Sequence, residues 1–390
     1  MITVMVRSTM RMRRKPLVLL VLAGVLVALA WRPVTLHLDA AAFLLRFEEG
    51  ATEPEGLASW GAHPISDRDL AWSGGRARLY APADDDDPPG VVLIHGVHAR
   101  GIDEPRLRVF AQSMASAGLA VMTPEIVELT EYRLEPGTID RIGDAARALA
   151  RDLGSERVGV IGVSFSGGLS LMAAARDAGG GAIGWVLSVG GHHDLMRVAR
   201  FYAGERVEGP NGEHLATAPH PYGAGVLVYR HVEELFPAED VPEARAIVRE
   251  LLHDRWREAH ARADDLATDA GRARIRSVLD VDDPGRDALA RDLLAVLERH
   301  RRSLDLASPR GALARLDTPV FLLHGADDPV VPATETLWLA HDVPPAALER
   351  TLVTDAIRHA EYGREPTFAE RWDLVRFMAS VLATARATAR

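Results

Sequence analysis

The chain has 390 residues, enough for one large α/β domain carrying an insertion or for two domains. A formal net charge of −10 leaves no evident basic surface to displace counterions from phosphates, which excludes nucleic acid as the main partner. The absence of cysteine excludes disulfides, thiolate catalysis and Cys-ligated zinc or iron–sulfur centres.

At the N-terminus, Arg7, Arg11, Arg13, Arg14 and Lys15 form a basic region over residues 1–15, followed by the uncharged run 16–31 from Pro16 to Trp31. Cations ahead of an apolar run hold that side in the cytoplasm. At 16 residues the run is slightly short for a spanning helix and close to the upper length of the apolar part of a signal peptide, and Ala28-Leu29-Ala30 offers a cleavage site. The two readings are an uncleaved signal anchor and a cleaved export signal. The anchor is preferred because Val34 to Phe47 continues as an amphipathic segment. Either reading places the folded part outside the cytoplasm, with the N-terminal segment as its contact with the membrane; carbonate extraction followed by N-terminal sequencing separates them.

Residues 32–75 read as a connector, punctuated by Pro54, Gly56, Gly61 and Pro64, with at most one edge element. Arg76 to Tyr80 alternates as a strand does. The acidic run Asp84 to Asp87 before Pro88-Pro89-Gly90 reads as a solvated turn, since four adjacent carboxylates cannot all face one ion. Val91 to Ile94 is an apolar strand that runs into His95-Gly96-Val97-His98, where Gly96 supplies at least a turn. Arg100 and His98 are polar loop residues near the end of that strand. Leu107 to Ala117 has helical spacing with Gly118 as its stop, Leu119 to Thr123 is a strand ended by Pro124, and Ile139 to Leu153 is an amphipathic helix.

Val158, Val160, Ile161 and Val163 make a run suited to a strand buried on both faces, and from Gly167 a helix of small residues follows. Between them, Gly162 and Ser166 flank Ser164 at two residues on either side. Small residues there permit a sharp strand-to-helix turn, which lifts the Ser164 hydroxyl above the sheet edge toward the positive end of the next helix. A plainer role for Ser164 is that of helix N-cap. Strands alternating with helices of this length indicate right-handed crossovers and a mainly parallel sheet, whose ligands gather at the carboxyl ends of the strands.

Ile183 to Val189 is the next strand, leading to Gly190-Gly191-His192-His193-Asp194. Adjacent residues point in different directions, so this triplet reads as a loop bordering a pocket rather than a metal site. Beyond it the alternation of strand and helix breaks down until Pro309. Val241 to Ala267, with Ile247, Leu251 and Ala259 near one face and Trp256 beside it, and Asp287 to Arg301, with Leu289, Leu293 and Leu297, are helical. Thr318 to Leu323 resumes the sheet and ends in His324-Gly325-Ala326-Asp327-Asp328-Pro329-Val330-Val331-Pro332. Leu352 to Thr354 is a last short strand before His359, and Ala369 to Ala383 closes the chain as a helix with Trp372, Val375, Met378 and Leu382 inward.

Over about residues 76 to 390 the chain resembles the α/β-hydrolase superfamily, in the manner of its serine esterases and lipases. Gly162-Val163-Ser164-Phe165-Ser166 is similar to the nucleophile elbow G-x-S-x-G, with Ser166 in place of the second glycine. His95-Gly96 is similar to the start of the oxyanion loop, and His324 to Pro332 resembles the acid loop H-G-x-x-D-x-x-V-P. The resemblance implies an α/β fold with a mostly parallel central sheet, a core of residues 76–191 and 310–390, and a helical cap at 192–309. It implies a triad of Ser164 as nucleophile, His359 as base and Asp328 as orienting carboxylate, with Asp327 as the fallback. Arg358 stands where many relatives have Gly before that histidine. The implied oxyanion donors are the amides of Val97 and Phe165, and His95, Gly96, His98, His192 and His193 are candidate pocket residues.

The same resemblance implies acyl transfer through an acyl-enzyme, with an ester of a small-molecule acyl group as the expected substrate and no cofactor, because nucleophile, base and donors all come from the protein. Amide or peptide cleavage, thioester hydrolysis and transfer to an acceptor other than water are rivals on the same machinery. The cap's apolar face suits an acyl or alkyl chain, although packing of the cap on the core explains most of its leucines. A reading of another class is a membrane-tethered binding protein that kept the fold without turnover; its sign would be a missing triad member, and none is missing.

Overall fold

A computed structural model describes residues 33–214, 217–357 and 366–388. In chain order, helix α1 covers 33–49. Strands β1 (Ile65–Asp69), β2 (Ala77–Pro82) and β3 (Gly90–Ile94) come next, then α2 (Pro105–Ser116), β4 (Ala120–Pro124), α3 (Val127–Thr130) and α4 (Pro136–Leu153). After these stand β5 (Val158–Val163), α5 (Phe165–Asp177), β6 (Ile183–Val189) and α6 (Leu195–Tyr202). A purely helical stretch then holds α7 (Pro221–Arg230), α8 (Val232–Leu235), α9 (Val241–Leu252), α10 (Trp256–Ala261), α11 (Asp269–Leu279), α12 (Arg286–Arg299) and α13 (Arg301–Leu306). The chain finishes with β7 (Val320–Gly325), α14 (Thr334–Asp342), β8 (Leu348–Thr354) and α15 (Phe368–Thr388).

The strands form one sheet of eight in the order β1-β2-β4-β3-β5-β6-β7-β8. β2 runs antiparallel to both β1 and β4, and every other pairing is parallel. Because side chains alternate across a strand, β3 divides its residues between two cores. Val91 and Leu93 join Phe43, Met114, Phe377 and Met378 on the α1, α2 and α15 side. Val92 and Ile94 join Ile142, Leu149 and Leu169 on the α4 and α5 side, a core continuous with the helices inserted after β6.

Local chemistry sets the helix ends. Pro105 opens α2 while the Glu104 carboxylate accepts from Leu107 N, and Gly154 closes α4 at φ 66°, a left-handed conformation in which a Cβ is costly. The α4 residues Ile139, Ile142, Ala146 and Leu149 are buried along one stripe, as their spacing requires.

Several expectations need correction. The connector over 32–75 is packed into the fold: α1 buries Ala40 and Phe43 against α15, and the buried Arg46 donates from Nη1 to Ala58 O (2.7 Å) and Trp60 O (3.1 Å). Burial lowers the Arg46 pKa by opposing its charge, with Asp39 acting the other way. The 241–267 helix is two, broken where Asp254 adopts φ 59°. Trp372 points outward, 44% exposed, and stacks on His37 at 5.4 Å, because the inward stripe of α15 runs through Leu374, Val375, Phe377, Met378, Val381 and Leu382. α5 starts at Phe165, ahead of the expected Gly167. The basic region and the apolar run 16–31 lie outside the described residues; among those described, no helix is long and apolar enough to cross a membrane.

Candidate active site

Ser164 joins β5 to α5 at φ 58°, ψ −137°, a backbone conformation that a non-glycine residue holds only when its surroundings enforce it. Its N–H donates to Val189 O at the end of β6 (2.7 Å), and its carbonyl accepts from Gly167 N (2.8 Å). The turn is tight enough that a Cβ on Gly162 would stand 2.4 Å from Ser166 O, and one on Gly167 would stand 2.4 Å from Ser188 Oγ. Ser166 itself is buried without clash because its hydroxyl is absorbed, lying 2.7 Å from Val163 O and 3.1 Å from Ile94 O. The serine that replaces the second glycine therefore fastens the elbow to the end of β3.

The loop after β3 closes on this turn. A Cβ on Gly96 would meet Ser164 Cβ at 3.3 Å and Val163 O at 3.5 Å, so the 95–97 backbone lies directly against Ser164. Phe165 opens α5, and its N–H is one of the first four of the helix, which have no partner inside it. The positive end of the α5 dipole thus faces the same space as the Ser164 side chain, which is 7% exposed.

Asp328 follows β7 and is buried at 2% exposure, whereas Asp327 is exposed. Its Oδ1 accepts from Val330 N (2.8 Å) and Val331 N (2.9 Å), which holds the carboxylate rigidly in its loop. His324, at the end of the same strand, spends both ring nitrogens internally: Nε2–H donates to Val331 O (2.8 Å) and Nδ1 accepts from Thr336 Oγ1 (2.6 Å). The bases of the acid loop and of the chain leaving β8 are tied together by Ala326 N donating to Thr354 O (2.9 Å). His359 lies outside the described residues.

The remaining candidates divide. Gly96 and Val97 border Ser164, and His98 is half-buried just beyond, its Nδ1 accepting from Arg100 N (3.1 Å) and its pKa lowered chiefly by burial. His95, His192 and His193 are buried. His95 Nδ1–H donates to Gly96 O (2.7 Å) while Nε2 accepts from Ile126 N (3.0 Å), so this ring braces the loop as a neutral imidazole. His192 packs against the Phe165 ring at 5.5 Å and donates to Ala307 O (2.9 Å). His193 donates to Asp342 Oδ2 (2.8 Å) and accepts from Arg197 Nη2 (2.9 Å). Nothing in their doublet distinguished these roles, because each is set by an element far away in sequence.

Burial pushes the His95 pKa down to about 4, the bond to Gly96 O only partly opposing it. A histidine depressed in the folded state favours folding fully above its unfolded pKa near 6.5 and loses that contribution as pH falls toward about 4. His95 should therefore contribute about 3 kcal/mol to the loss of stability across that window, from the 1.36 kcal/mol carried by each pK unit, while His98, His192 and His193, also depressed by burial, act in the same direction. In denaturant unfolding, His95→Gln, which keeps an acceptor for Ile126 N, should make the drop smaller; an unchanged slope would remove His95 as a cause.

Two tyrosines that the sequence did not signal hold the surrounding loops. Tyr222, at the start of α7, donates to Val97 O (2.6 Å), and Tyr202 at the end of α6 donates to Val330 O (2.5 Å). His220 N also donates to Pro329 O (2.8 Å), so the inserted helices touch both the 95–97 loop and the acid loop. At the seam between core and insertion lies a cavity of about 490 Å³ whose walls include Tyr132, Arg133, Tyr229, Arg245, Arg249 and His253; Ser164 is not among them.

Sheet order, elbow and helical insertion after β6 together define the α/β-hydrolase fold. No family model matches the chain, and no curated protein does. Solved structures with a similar course include 2-hydroxy-6-oxo-6-phenylhexa-2,4-dienoate hydrolase from Rhodococcus sp. strain RHA1, at 19% identity and TM-score 0.43 over 83% of this chain and 99% of that one. A hyperthermophilic esterase from Pyrobaculum calidifontis aligns at 18% identity and TM-score 0.40 over 90% of this chain and 88% of its own. The acylaminoacyl peptidase of Pyrococcus horikoshii aligns at 14% identity and TM-score 0.43 over 80% of this chain, which spans 40% of the peptidase. Likeness at this level carries nothing about substrate or residue roles, so the fold rests on the strand order and the elbow themselves.

Proposed function

We propose that the protein is a serine hydrolase that cleaves a carboxylic ester through an acyl-enzyme on Ser164. The observation that carries this reading is the backbone of Ser164, held at φ 58°, ψ −137° at the head of α5 with the 95–97 loop packed against it. A serine serving only as a helix cap has no need of that conformation, since N-caps are ordinarily extended. In the proposed cycle His359 takes the Ser164 Oγ proton as Oγ attacks the ester carbonyl, and the amides of Val97 and Phe165 receive the oxyanion. The alcohol leaves with the proton returned by His359. Water, deprotonated by the same imidazole, then releases the acid, while Asp328 orients the ring and stabilises it when protonated.

A fluorophosphonate probe tests the assignment, because it reacts only with an activated serine. Labelling should disappear in Ser164→Ala and persist in Ser66→Ala, an exposed serine of β1. Labelling that survives Ser164→Ala moves the nucleophile elsewhere, and an unlabelled wild type points to a binding protein on a hydrolase fold. Turnover on p-nitrophenyl esters of graded chain length, set beside amide and thioester analogues, then separates the esterase from its rivals.

A further inference from the structure

We propose that His231, Glu234 and His300 form a site for a divalent transition metal, best matched by zinc, that clips two parts of the helical insertion together. His231 lies at the junction of α7 and α8, Glu234 is in α8, and His300 lies at the junction of α12 and α13. Their ligand atoms all fall within 4.8 Å of one another. His231 Nδ1 is 3.1 Å and His300 Nε2 is 2.7 Å from the same carboxylate oxygen, Glu234 Oε1, with the two ring centroids 4.7 Å apart. Zinc bound tetrahedrally at about 2.0–2.1 Å spaces its ligands by roughly 3.3 Å, close to the two His–Glu edges, and the imidazole nitrogens already lie within 4.8 Å of each other, so small side-chain shifts turn this triangle into one face of a coordination shell.

The donor set fits zinc better than a hard cation. Two imidazoles and one carboxylate suit zinc and its neighbours, whereas magnesium and calcium take oxygen. Arg299 Nη2 donates to Glu234 Oε2 (2.8 Å), tying off the second oxygen and leaving Oε1 as a one-atom ligand held by an outer partner. The Glu234 and His300 side chains are 32% and 45% exposed, which leaves an approach for the ion and for a water as fourth ligand.

The clip has a mechanical consequence for the site already described. α7 runs from Tyr222, bonded to Val97 O, to His231, so fixing its far end against α12 braces the helix that touches the 95–97 loop. The sequence implied no metal, because these residues are 3 and 66 positions apart along the chain and share no ligand spacing.

The test is zinc titration of the full chain after chelation, by calorimetry and by thermal unfolding, with cobalt as a spectroscopic probe. One ion per chain should bind with micromolar affinity or better, zinc should raise the unfolding midpoint, and cobalt should show the visible band of a tetrahedral site. His300→Ala, at an exposed position, should lower zinc affinity by more than the roughly 100-fold that loss of an outer partner costs. His63→Ala, which breaks a two-residue His–carboxylate pair with Asp84, should leave affinity unchanged. Glu234→Gln serves if His300→Ala folds poorly. Wild-type affinity weaker than micromolar, or equal binding by wild type and the His300 or Glu234 variant, overturns the site and leaves the triangle as an ion-pair network.

Discussion

Asp328→Asn is expected to lower kcat by about 10⁴ while leaving the fold intact, the size of loss seen when a triad carboxylate becomes an amide. The substitution is conservative for the loop: an asparagine oxygen at Oδ1 keeps the bonds from Val330 N and Val331 N. At Oδ2, which lies 3.4 Å from His324 Nε2, it is not: if Asp328 orients His359 as proposed, an NH₂ there would meet the imidazole N–H with a donor and favour the wrong tautomer. Asp327→Asn, at an exposed position, should change kcat less than about threefold, within the ±0.5 kcal/mol usual for surface substitutions. Steady-state kinetics on a p-nitrophenyl ester reads both. Should the two variants exchange their effects, Asp327 is the triad acid; should neither lose activity, the base is oriented by another group.

Glu335→Ala should be the most destabilising single change in the buried polar network beside the site, by about 3–5 kcal/mol, the cost of removing one partner of a buried ion pair. Glu335 is fully buried in α14, with Oε2 accepting from His193 N and Asp194 N (both 2.8 Å) and Oε1 accepting from Arg197 Nε (2.5 Å). Arg197 also lies 4.9 Å from the Trp338 ring, and Asp194 caps α6 through Met196 N and Arg197 N. Truncation would orphan two buried amides and strand the guanidinium, loosening the turn from β6 into α6. Glu335→Gln keeps an acceptor for the amides and should lose clearly less. Urea midpoints at constant slope measure both, and equal losses in the two variants would show that the charge, not the amide contacts, dominates.

Much of the core was legible because local rules and the tertiary environment agree there. The runs at Val91–Ile94, Val158–Val163 and Ile183–Val189 carry no charge and, Ser188 apart, no polar side chain, as strands covered on both sides require, and all three are central parallel strands. Gly154 and Pro124 punctuated elements where they in fact end. The two-helix reading of the insertion missed α6, α7, α8, α11 and α13; α8 and α13 have only 4 and 6 residues, too few to show a period, and α7 buries Gly223, Ala224, Gly225, Val226 and Val228, adjacent positions rather than one stripe. The doublet His192-His193 was legible as chemistry but not as place: both rings turn into packed interior, one against Phe165 and one between Arg197 and Asp342.

By itself the sequence determined the alternation of central strands and helices from Val91 to Val189, the position of a serine between a buried strand and a helix, and the exclusion of chemistries that need cysteine, since these depend on residue periodicity, small-residue spacing and the absence of cysteine. Only the tertiary structure decided that Ser164 is held at positive φ under the 95–97 loop, that Asp328 rather than Asp327 is buried, and that His231, Glu234 and His300 meet. The reason is physical: a side chain's solvation and its partners are set by whatever packs around it, and those neighbours come from chain segments whose separation no local pattern encodes.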